Sequence, residues 1–285
     1  MPFTAQPLHR LDLVALDLEA TGVAHGHDRV CEIGAARFRI DRAGRVIPGE
    51  TFDALVNPQL TIPEVVSRLT GIDDALVAGA PTLDAVWSDL LAFLGAGADT
   101  VVIAHSAASD LAYLASEAAR LALPRPQVPF ACTLEIARRV LPEAPSYRLG
   151  ELRAHACGPA AAQATYHRAL ADAVHTRNLF GRCVDIAGAA TLRDLGVKGP
   201  APWPDPADFA VDVPERLRAL LPAIRERRRV AIWYRGGSKG RVARPVTPLA
   251  FFAHRGVAHL RAWCHLDDAA KTFRCDRITR VTLAE

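Results

Sequence analysis

Five prolines lie close together between residues 188 and 214, a segment that reads GAATLRDLGVKGPAPWPDPADFAVDVP. Proline has no backbone N–H group and a fixed φ angle, so a segment this rich in proline sustains neither a helix interior nor a central strand. We therefore predict two structural units, residues 1–187 and 214–285, joined by a semi-rigid linker over residues 188–213. The prolines are Pro200, Pro202, Pro204, Pro206 and Pro214.

The linker also separates regions of opposite charge. Residues 1–200 contain 18 Lys and Arg and 22 Asp and Glu, a balance of −4. Residues 201–285 contain 16 and 9, a balance of +7. This basic region predicts an anionic partner for the C-terminal unit. An arginine-rich solvated surface explains the same charge, and the charge alone does not choose between the two interpretations.

The composition is that of a soluble globular protein, because 50% of the residues are hydrophobic and 23% are charged. No apolar run approaches the roughly 18–20 residues of a membrane helix, and the segment MPFTAQPLHR lacks the apolar core of a signal peptide. We therefore expect a cytoplasmic protein without a membrane partner. The six cysteines are scattered and form no C-x-x-C pair, so neither structural zinc nor a disulfide framework is expected.

The order of the sequence patterns predicts an α/β fold for the first unit. Three strand-like runs come first: LDLVALDLE, VCEIGAARFRI and ETFDALVN. The buried strand TVVIAH follows, together with the helical patterns PTLDAVWSDLLAFL, DLAYLASEAARL, CTLEIARRVL and RALADAVHTRNLFGRCV. This order favours a mixed sheet with flanking helices. The second unit begins with the helical pattern PERLRALLPAIRERRR and continues as short alternating runs, which predicts a small β-barrel or rolled sheet.

Four acidic residues lie where strands end or helices flank the predicted sheet. Asp17 and Glu19 are two residues apart in an apolar strand, a pair that by itself fits solvated acids as well as a site. Asp110 follows the strand TVVIAH, and Asp172 lies in a helix. In open α/β sheets, ligand-binding and active sites lie at the carboxyl ends of the strands. Converging carboxylates repel each other unless a cation neutralises them. All-oxygen ligands suit Mg²⁺ or Mn²⁺, and two such ions about 4 Å apart serve phosphodiester hydrolysis.

His167 precedes Asp172 by five residues, and this spacing constrains the local geometry. Five residues of helix rotate by about 140°, so the two side chains do not share a face if both are helical. We therefore place His167 on a loop before the helix and Asp172 about one turn into it. A histidine beside a metal site suits a general base, since its pKa lies near the operating pH.

The segments DLEATG, HSAASD and HRALADA resemble, in this order, the three motifs of the DEDDh 3′–5′ exonucleases. That family includes the DNA polymerase III proofreading (epsilon) subunit and RNase T. The resemblance covers residues 10–185, extends to the connecting sequences and implies an RNase H-like fold. A related family with a tyrosine base is not favoured, because the corresponding position holds Arg168. The resemblance implies two divalent cations, Mg²⁺ or Mn²⁺, bound by Asp17, Glu19, Asp110 and Asp172, with His167 as the catalytic base.

The second motif departs from the family pattern, H-N-A-x-F-D. Ser106 and Ser109 stand at the asparagine and phenylalanine positions, which should alter how the terminal nucleotide is held. The carboxylate of Asp110 is retained, so we expect an active enzyme.

Residues beside the motifs are candidates for substrate contacts. His105 is interpreted as strand-end packing or as a substrate contact rather than as a second base. Thr21 and Gly22 either offer backbone groups to the 3′ terminus or form a tight strand-end turn. The substrate-contact candidates are Thr21, Gly22, His105 and Ser106.

The C-terminal unit resembles the WYL domain, a small β-barrel (SH3/Sm-like) module usually attached to bacterial regulators and thought to bind nucleic acid or nucleotides. The resemblance covers residues 214–285, although AHL at residues 258–260 replaces the tripeptide that names the family. Trp233, Tyr234 and Trp263 either stack on bases or pack in the core. The candidates for phosphate contacts are Arg244, Arg261, Lys271, Arg274 and Arg277.

Together these patterns predict a metal-dependent 3′–5′ exonuclease that acts on single-stranded nucleic acid, with DNA favoured over RNA, and releases 5′-mononucleotides. The C-terminal module is expected to bind or sense nucleic acid. An alternative is a non-catalytic, ligand-sensing nucleic-acid binder that uses the exonuclease fold as a docking surface. A third interpretation is that the C-terminal module mediates homo-oligomer formation.

Overall fold

The computed structural model describes residues 2–95, 97, 99–158, 167–205, 213–236, 242–254 and 257–283. Within these residues the chain folds into two units, each with its own β-sheet and apolar core. This confirms the predicted combination of an α/β unit with a C-terminal β unit. No helix in the described part of the chain has the length and apolarity needed to span a membrane.

The first sheet contains the strands β1 (Asp12–Ala20), β2 (Val30–Ile40), β3 (Val46–Leu55), β4 (Thr100–Ala104) and β5 (Phe130–Cys132). Their order across the sheet is β3-β2-β1-β4-β5. β1 pairs antiparallel with β2 and parallel with β4, so the sheet is mixed as predicted. The central position of β1 places its carboxyl end beside that of β4.

The helices of this unit are α1 (Glu64–Thr70), α2 (Asp74–Val77), α3 (Leu83–Leu94), α4 (Ala107–Leu121), α5 (Thr133–Val140), α6 (Leu149–Cys157) and α7 (Ala169–Ala187). The apolar periodicity predicts α3, α4, α5 and α7. It does not predict α1, α2 and α6, which are short and lie in what the sequence suggests are connections. α4 begins three residues earlier than predicted, so Asp110 lies in its first turn instead of at its start.

Both faces of β1 are buried, because helices cover the sheet on both sides. Leu13 and Ala15 pack in the core that contains the α7 residues Leu179 and Phe180. Val14 and Leu16 alternate to the opposite core, formed with α3 and α4. The strand therefore has an α7 face and an α3/α4 face, and its odd-numbered residues point toward α7.

The second sheet belongs to the C-terminal unit. It is antiparallel, in the order β10-β6-β7-β8-β9. A short helix, α8 (Leu220–Arg225), precedes it, so the predicted helix over residues 214–229 is shorter than expected and follows a separate 3₁₀ turn. The strands are β6 (Val230–Tyr234), β7 (Ala243–His254), β8 (Val257–Cys264), β9 (Ala269–Arg274) and β10 (Ile278–Leu283).

The described part of the predicted linker, residues 188–205, packs against the first unit. Leu192 and Leu195 are almost fully buried in the core beside α7. The Trp203 ring lies edge-on to Phe130, with ring centroids 5.6 Å apart. This stretch lacks helix and strand as predicted, but it extends the packing of the first unit beyond the expected boundary at residue 187.

Candidate active site

Asp17 and Glu19 continue the α7 face of β1, because side chains two residues apart in a strand point the same way. Asp17 lies opposite Gly34 and Glu19 lies opposite Glu32 in the pairing of β1 with β2. The missing side chain at Gly34 makes room for the start of α7. A Cβ atom there would overlap the backbone of Ala169 and Leu170.

The other two acids enter from helices. Asp172 is the fourth residue of α7 and is 8% exposed. Because the start of α7 packs against Gly34, Asp172 lies on the α7 face of β1. Asp110 lies in the first turn of α4, directly after β4, and is 6% exposed. The turn between β4 and α4 requires a left-handed residue, Ser106, with φ 64°.

The electrostatics show that the four carboxylates are close enough to affect one another. Burial and the charges of Asp110 and Asp172 raise the pKa of Asp17 well above its ordinary value. Burial, Asp172 and Glu32 raise the pKa of Glu19 to about 7. Burial and Glu19 raise the pKa of Asp110 to about 8, and burial raises that of Asp172. Four neighbouring carboxylates remain ionised together only if a cation lies beside them.

His167 lies outside α7 with a left-handed backbone, φ 62°, and its backbone N–H donates to Oδ2 of Asp172 over 3.0 Å. The predicted geometry, a histidine on a loop and an aspartate one turn into the helix, is confirmed. Ligand atoms of Glu19, His167 and Asp172 all lie within 4.8 Å of one another. Oδ1 of Asp172 is buried without a hydrogen-bond partner among the described residues. The residues therefore fit a hard divalent cation.

Glu32 and Arg168 support this site, and the motif comparison does not identify them. Glu32 is 1% exposed, and its carboxylate accepts hydrogen bonds from Arg168 Nε at 2.9 Å and from the backbone N–H of Ala169 at 2.8 Å. Through these bonds Glu32, a residue of β2, holds the short segment that connects His167 to α7. The available signal was an ionisable residue inside the buried run VCEIGAA.

A cleft of about 500 Å³ opens beside the acids. Glu19 lines one side, and Ser106 and Ser109 line another. Val66 and Leu69 of α1 provide an apolar wall. Ser106 is therefore positioned as a substrate-contact candidate, whereas two of the other candidates are already engaged within the protein.

Thr21 is 1% exposed, its N–H donates to the Arg29 carbonyl at 2.9 Å, and its hydroxyl accepts from the Arg29 N–H at 3.1 Å. These bonds engage the N–H and the hydroxyl of Thr21 in the strand-end turn, and its expected contact with a 3′ terminus stays a prediction. Gly22 does line the cleft, although its carbonyl accepts a hydrogen bond from the Tyr113 hydroxyl.

His105 is held on both ring nitrogens. Nδ1 lies 2.9 Å from Oγ1 of Thr133, and Nε2 lies 3.0 Å from the Tyr147 carbonyl. Burial lowers the pKa of His105, although the bond to Tyr147 opposes this. Both ring nitrogens of His105 are therefore engaged within the protein, which fits strand-end packing, and its expected contact with substrate stays a prediction.

The basic candidates of the second unit do not form one exposed face. Arg244 is 4% exposed beneath Tyr234, and Arg261 is 7% exposed against the first unit. Strand alternation and domain packing bury both side chains in this structure, and their expected contacts with phosphate stay a prediction. Three others are partly exposed: Lys271 pairs with Asp267, Arg274 pairs with Asp276, and Arg277 lies near Gly236.

Comparison with known families accounts for both units. Residues 14–180 match the exonuclease family RNase_T, and residues 215–283 match the WYL domain. DNA polymerase III subunit epsilon of Aquifex aeolicus is 33% identical over 167 residues, which is 59% of this chain and 77% of that protein. A Mycobacterium tuberculosis protein whose name proposes both exonuclease and endonuclease activity is 39% identical over 195 residues, 66% of this chain. The chain spans only 28% of that protein's length.

Solved structures agree with this assignment at the level of the fold. The nuclease domain of 3′hExo, a DEDDh family member solved with bound rAMP, has a TM-score of 0.54 at 14% identity and covers 63% of this chain and 94% of its own. A full-length 3′-exonuclease has a TM-score of 0.55 at 14% identity, over 65% of this chain and 64% of its own. The first sheet and its helices are therefore RNase H-like. The chain belongs to the RNase_T exonuclease family and carries a WYL domain after the exonuclease domain.

Proposed function

We propose that this exonuclease degrades single-stranded nucleic acid from the 3′ end, DNA in preference to RNA, and releases 5′-mononucleotides. The observation that carries the proposal is that Glu19, His167 and Asp172 bring ligand atoms within 4.8 Å of one another, with Asp17 and Asp110 near enough to this group for the acids to raise one another's pKa values. Removing such a group of carboxylates from water costs free energy unless cations neutralise their charges. We further propose that the catalytic unit extends through residue 205 and that the WYL domain binds or senses nucleic acid.

In this mechanism Asp17, Glu19, Asp110 and Asp172 would hold two divalent cations, Mg²⁺ or Mn²⁺. When bound, the cations would neutralise the phosphodiester and help to ionise the attacking water. An imidazole nitrogen of His167 takes the proton of that water as the new oxygen–phosphorus bond forms. The bond from phosphorus to the 3′ oxygen of the preceding nucleotide breaks, that oxygen takes a proton from solvent water and leaves as a hydroxyl, and a 5′-mononucleotide is released. The bonds of Glu32 to Arg168 and to the Ala169 N–H support this role, because they restrain the chain next to His167.

A 3′-end degradation assay tests the proposal. The substrates are 5′-labelled single- and double-stranded DNA and RNA, each with Mg²⁺, Mn²⁺ or EDTA. We expect stepwise shortening of the single strands, faster for DNA, that needs metal. Asp17→Asn should abolish it, and His167→Ala should slow it by about 10²–10⁴-fold, as expected for loss of a general base. Asp89→Asn, an exposed acid on α3, is the matched control and should remain fully active.

Three results would contradict the proposal. If the wild-type protein degrades no strand with either metal, it is not an exonuclease under this mechanism. If it binds strands equally in EDTA and never turns them over, the alternative of a non-catalytic nucleic-acid binder is favoured. Full activity of Asp17→Asn would show that the acids do not form the site.

A further inference from the structure

A second cleft lies between the two domains and has a volume of about 470 Å³. Thr21 and Asp28 line it from the exonuclease domain, and Arg227, Arg261 and Trp263 line it from the WYL domain. This volume is within the range of roughly 300–1,000 Å³ that is typical of small-molecule sites. Thr21 faces this cleft while the next residue faces the active-site cleft, so the two cavities are neighbours.

The WYL wall of the cleft is the outer face of β8. Leu260 and Ala262 are completely buried in the WYL core. Because side chains alternate across a strand, Arg261 and Trp263 point to the opposite face. Arg261 is nevertheless only 7% exposed, since the exonuclease domain covers it.

Arg261 joins the two domains at the base of the cleft. Its Nη2 donates to the carbonyl oxygen of Thr21 over 3.3 Å, and its Nη1 lies 4.0 Å from Oδ2 of Asp28. Oδ2 of Asp28 also accepts the backbone N–H of Ala24 at 2.8 Å. Asp28 is the one acid among the described residues that line the cleft, and these contacts neutralise it.

The remaining lining offers positive charge and an aromatic surface. Arg227 is exposed at the wall, within a tract whose other arginines, Arg225, Arg228 and Arg229, are also exposed. Trp263 is half-buried and presents its indole to the same cavity, beside Thr247 on the neighbouring strand. A guanidinium with an aromatic ring is the combination that binds a phosphate and stacks a base.

We propose that this interdomain cleft binds a nucleoside 5′-phosphate, with the phosphate at Arg227 and the base against Trp263. The ligand is either a free nucleotide or one nucleotide of a single strand, since both present the same chemistry. The inference rests on the proposed role of the chain in nucleic-acid processing. It assigns the contacts of the WYL domain to the face that meets the exonuclease domain, where Arg261 lies, and not to Lys271, Arg274 and Arg277, which the sequence also suggests.

Binding measured in EDTA tests the site without catalysis. Fluorescence anisotropy of a labelled single-stranded DNA, with unlabelled dTMP as competitor, is compared for the full-length wild type and variants. Arg227→Ala and Trp263→Ala should each weaken binding about tenfold, as expected for loss of a phosphate contact or a stacking platform. Arg229→Ala is the matched control, because it lies in the same arginine tract but does not line the cleft, and it should change affinity less than about twofold.

Trp263→Phe keeps an aromatic ring and should retain most of the affinity, which separates stacking from a folding defect. If dTMP no longer competes in Trp263→Ala, the cleft is a free-nucleotide site. If Trp263→Ala weakens only the binding of the DNA, the cleft is a site for one nucleotide of a strand. Both results support the proposal. Equal weakening by Arg227→Ala and Arg229→Ala, or wild-type binding by Arg227→Ala and Trp263→Ala, would overturn it. An inactive wild type that still binds through Trp263 would overturn the proposed exonuclease function and leave this inference standing.

Discussion

Gly34 of β2 lies directly against Ala169, the first residue of α7, so closely that a Cβ atom on Gly34 would overlap the Ala169 carbonyl. This contact sets the distance between the start of α7 and the sheet. It therefore sets how near Asp172 comes to Asp17, which pairs with Gly34 on the adjacent strand.

We expect Gly34→Ala to lower both activity and stability, because α7 must move away from β1. Overpacking of this kind costs about 1–3 kcal/mol in the free energy of unfolding. Thermal melting and kcat measure the two effects. Gly79→Ala is the control, since the space around Gly79 is open and its φ is not left-handed. Wild-type kcat in Gly34→Ala would show that the site tolerates the displacement.

Glu32→Gln should reduce kcat more than it changes KM. The amide keeps an acceptor for the Ala169 N–H but loses the charge that pairs with Arg168, which loosens the loop holding His167. Glu117→Gln is a matched control: Glu117 is also 1% exposed and bonds both Arg120 and the N–H of Val30, but it lies away from the acids.

Both variants should lose stability to a similar degree, of order 1–2 kcal/mol for a weakened charge-assisted hydrogen bond. Only Glu32→Gln should slow turnover. If both variants slow turnover equally, Glu32 is a general structural residue and does not position His167.

The acid cluster predicts that the metal-free protein becomes less stable as the pH rises. Asp110 and Glu19 have pKa values of about 8 and 7 in the folded protein, against ordinary values of 3.8 and 4.5. A raised pKa stabilises the folded state below the ordinary value, and this stabilisation is lost as the pH rises through the folded value. In EDTA, Tm should therefore fall between about pH 4.5 and pH 8.

Mn²⁺ should reverse this trend, because binding requires the ionised carboxylates. The rise in Tm on adding Mn²⁺ is expected to be larger at pH 8 than at pH 5.5. Asp17→Asn removes one of the repelling charges, so it should flatten the profile in EDTA and reduce the response to Mn²⁺. A Tm in EDTA that is independent of pH across this range would contradict the clustering of the acids.

Arg261→Ala should loosen the contact between the domains, since it leaves Asp28 buried with fewer partners. Burial acts to raise the pKa of Asp28, but the hydrogen bond from His27, the charge of Arg261 and the Ala24 N–H together outweigh it and lower that pKa. We expect a loss of about 1–3 kcal/mol, the cost of an underbonded buried polar group. Asp28→Asn tests the same contact from the other side.

Limited proteolysis should then cut the chain faster after residue 205 than in the wild type. In a double-mutant cycle, Arg261→Ala with Asp28→Asn should cost less than the two single changes together. Strict additivity would mean that the two side chains do not interact.

The sequence predicts the strands and helices that carry chemistry better than it predicts their surroundings. β1, β2 and α7 are long and strongly patterned, so their bounds are predicted within a few residues. The short helices α1 and α6 lack such periodicity and depend on tertiary packing. The spacing of His167 and Asp172 predicts their local geometry because it involves one helix turn only.

The fate of the arginines could not be predicted, because it depends on contacts between distant parts of the chain. Arg261 meets a carbonyl 240 positions away. The alternation of polar and apolar residues along a strand shows which face an arginine is on, but not whether solvent or a neighbouring domain covers that face. For the same reason Glu32 is recognised as important only when the start of α7 is seen above it.

The burial of Leu192 and Leu195 has a practical consequence for dissecting this protein. The family match stops at residue 180, and a fragment cut there or at residue 187 would expose an apolar surface that both leucines normally cover. Such a fragment invites aggregation, and its inactivity would say nothing about whether catalysis needs the WYL domain. A fragment that ends at residue 205 keeps these leucines and Trp203 against their cores, so that question can be asked with it.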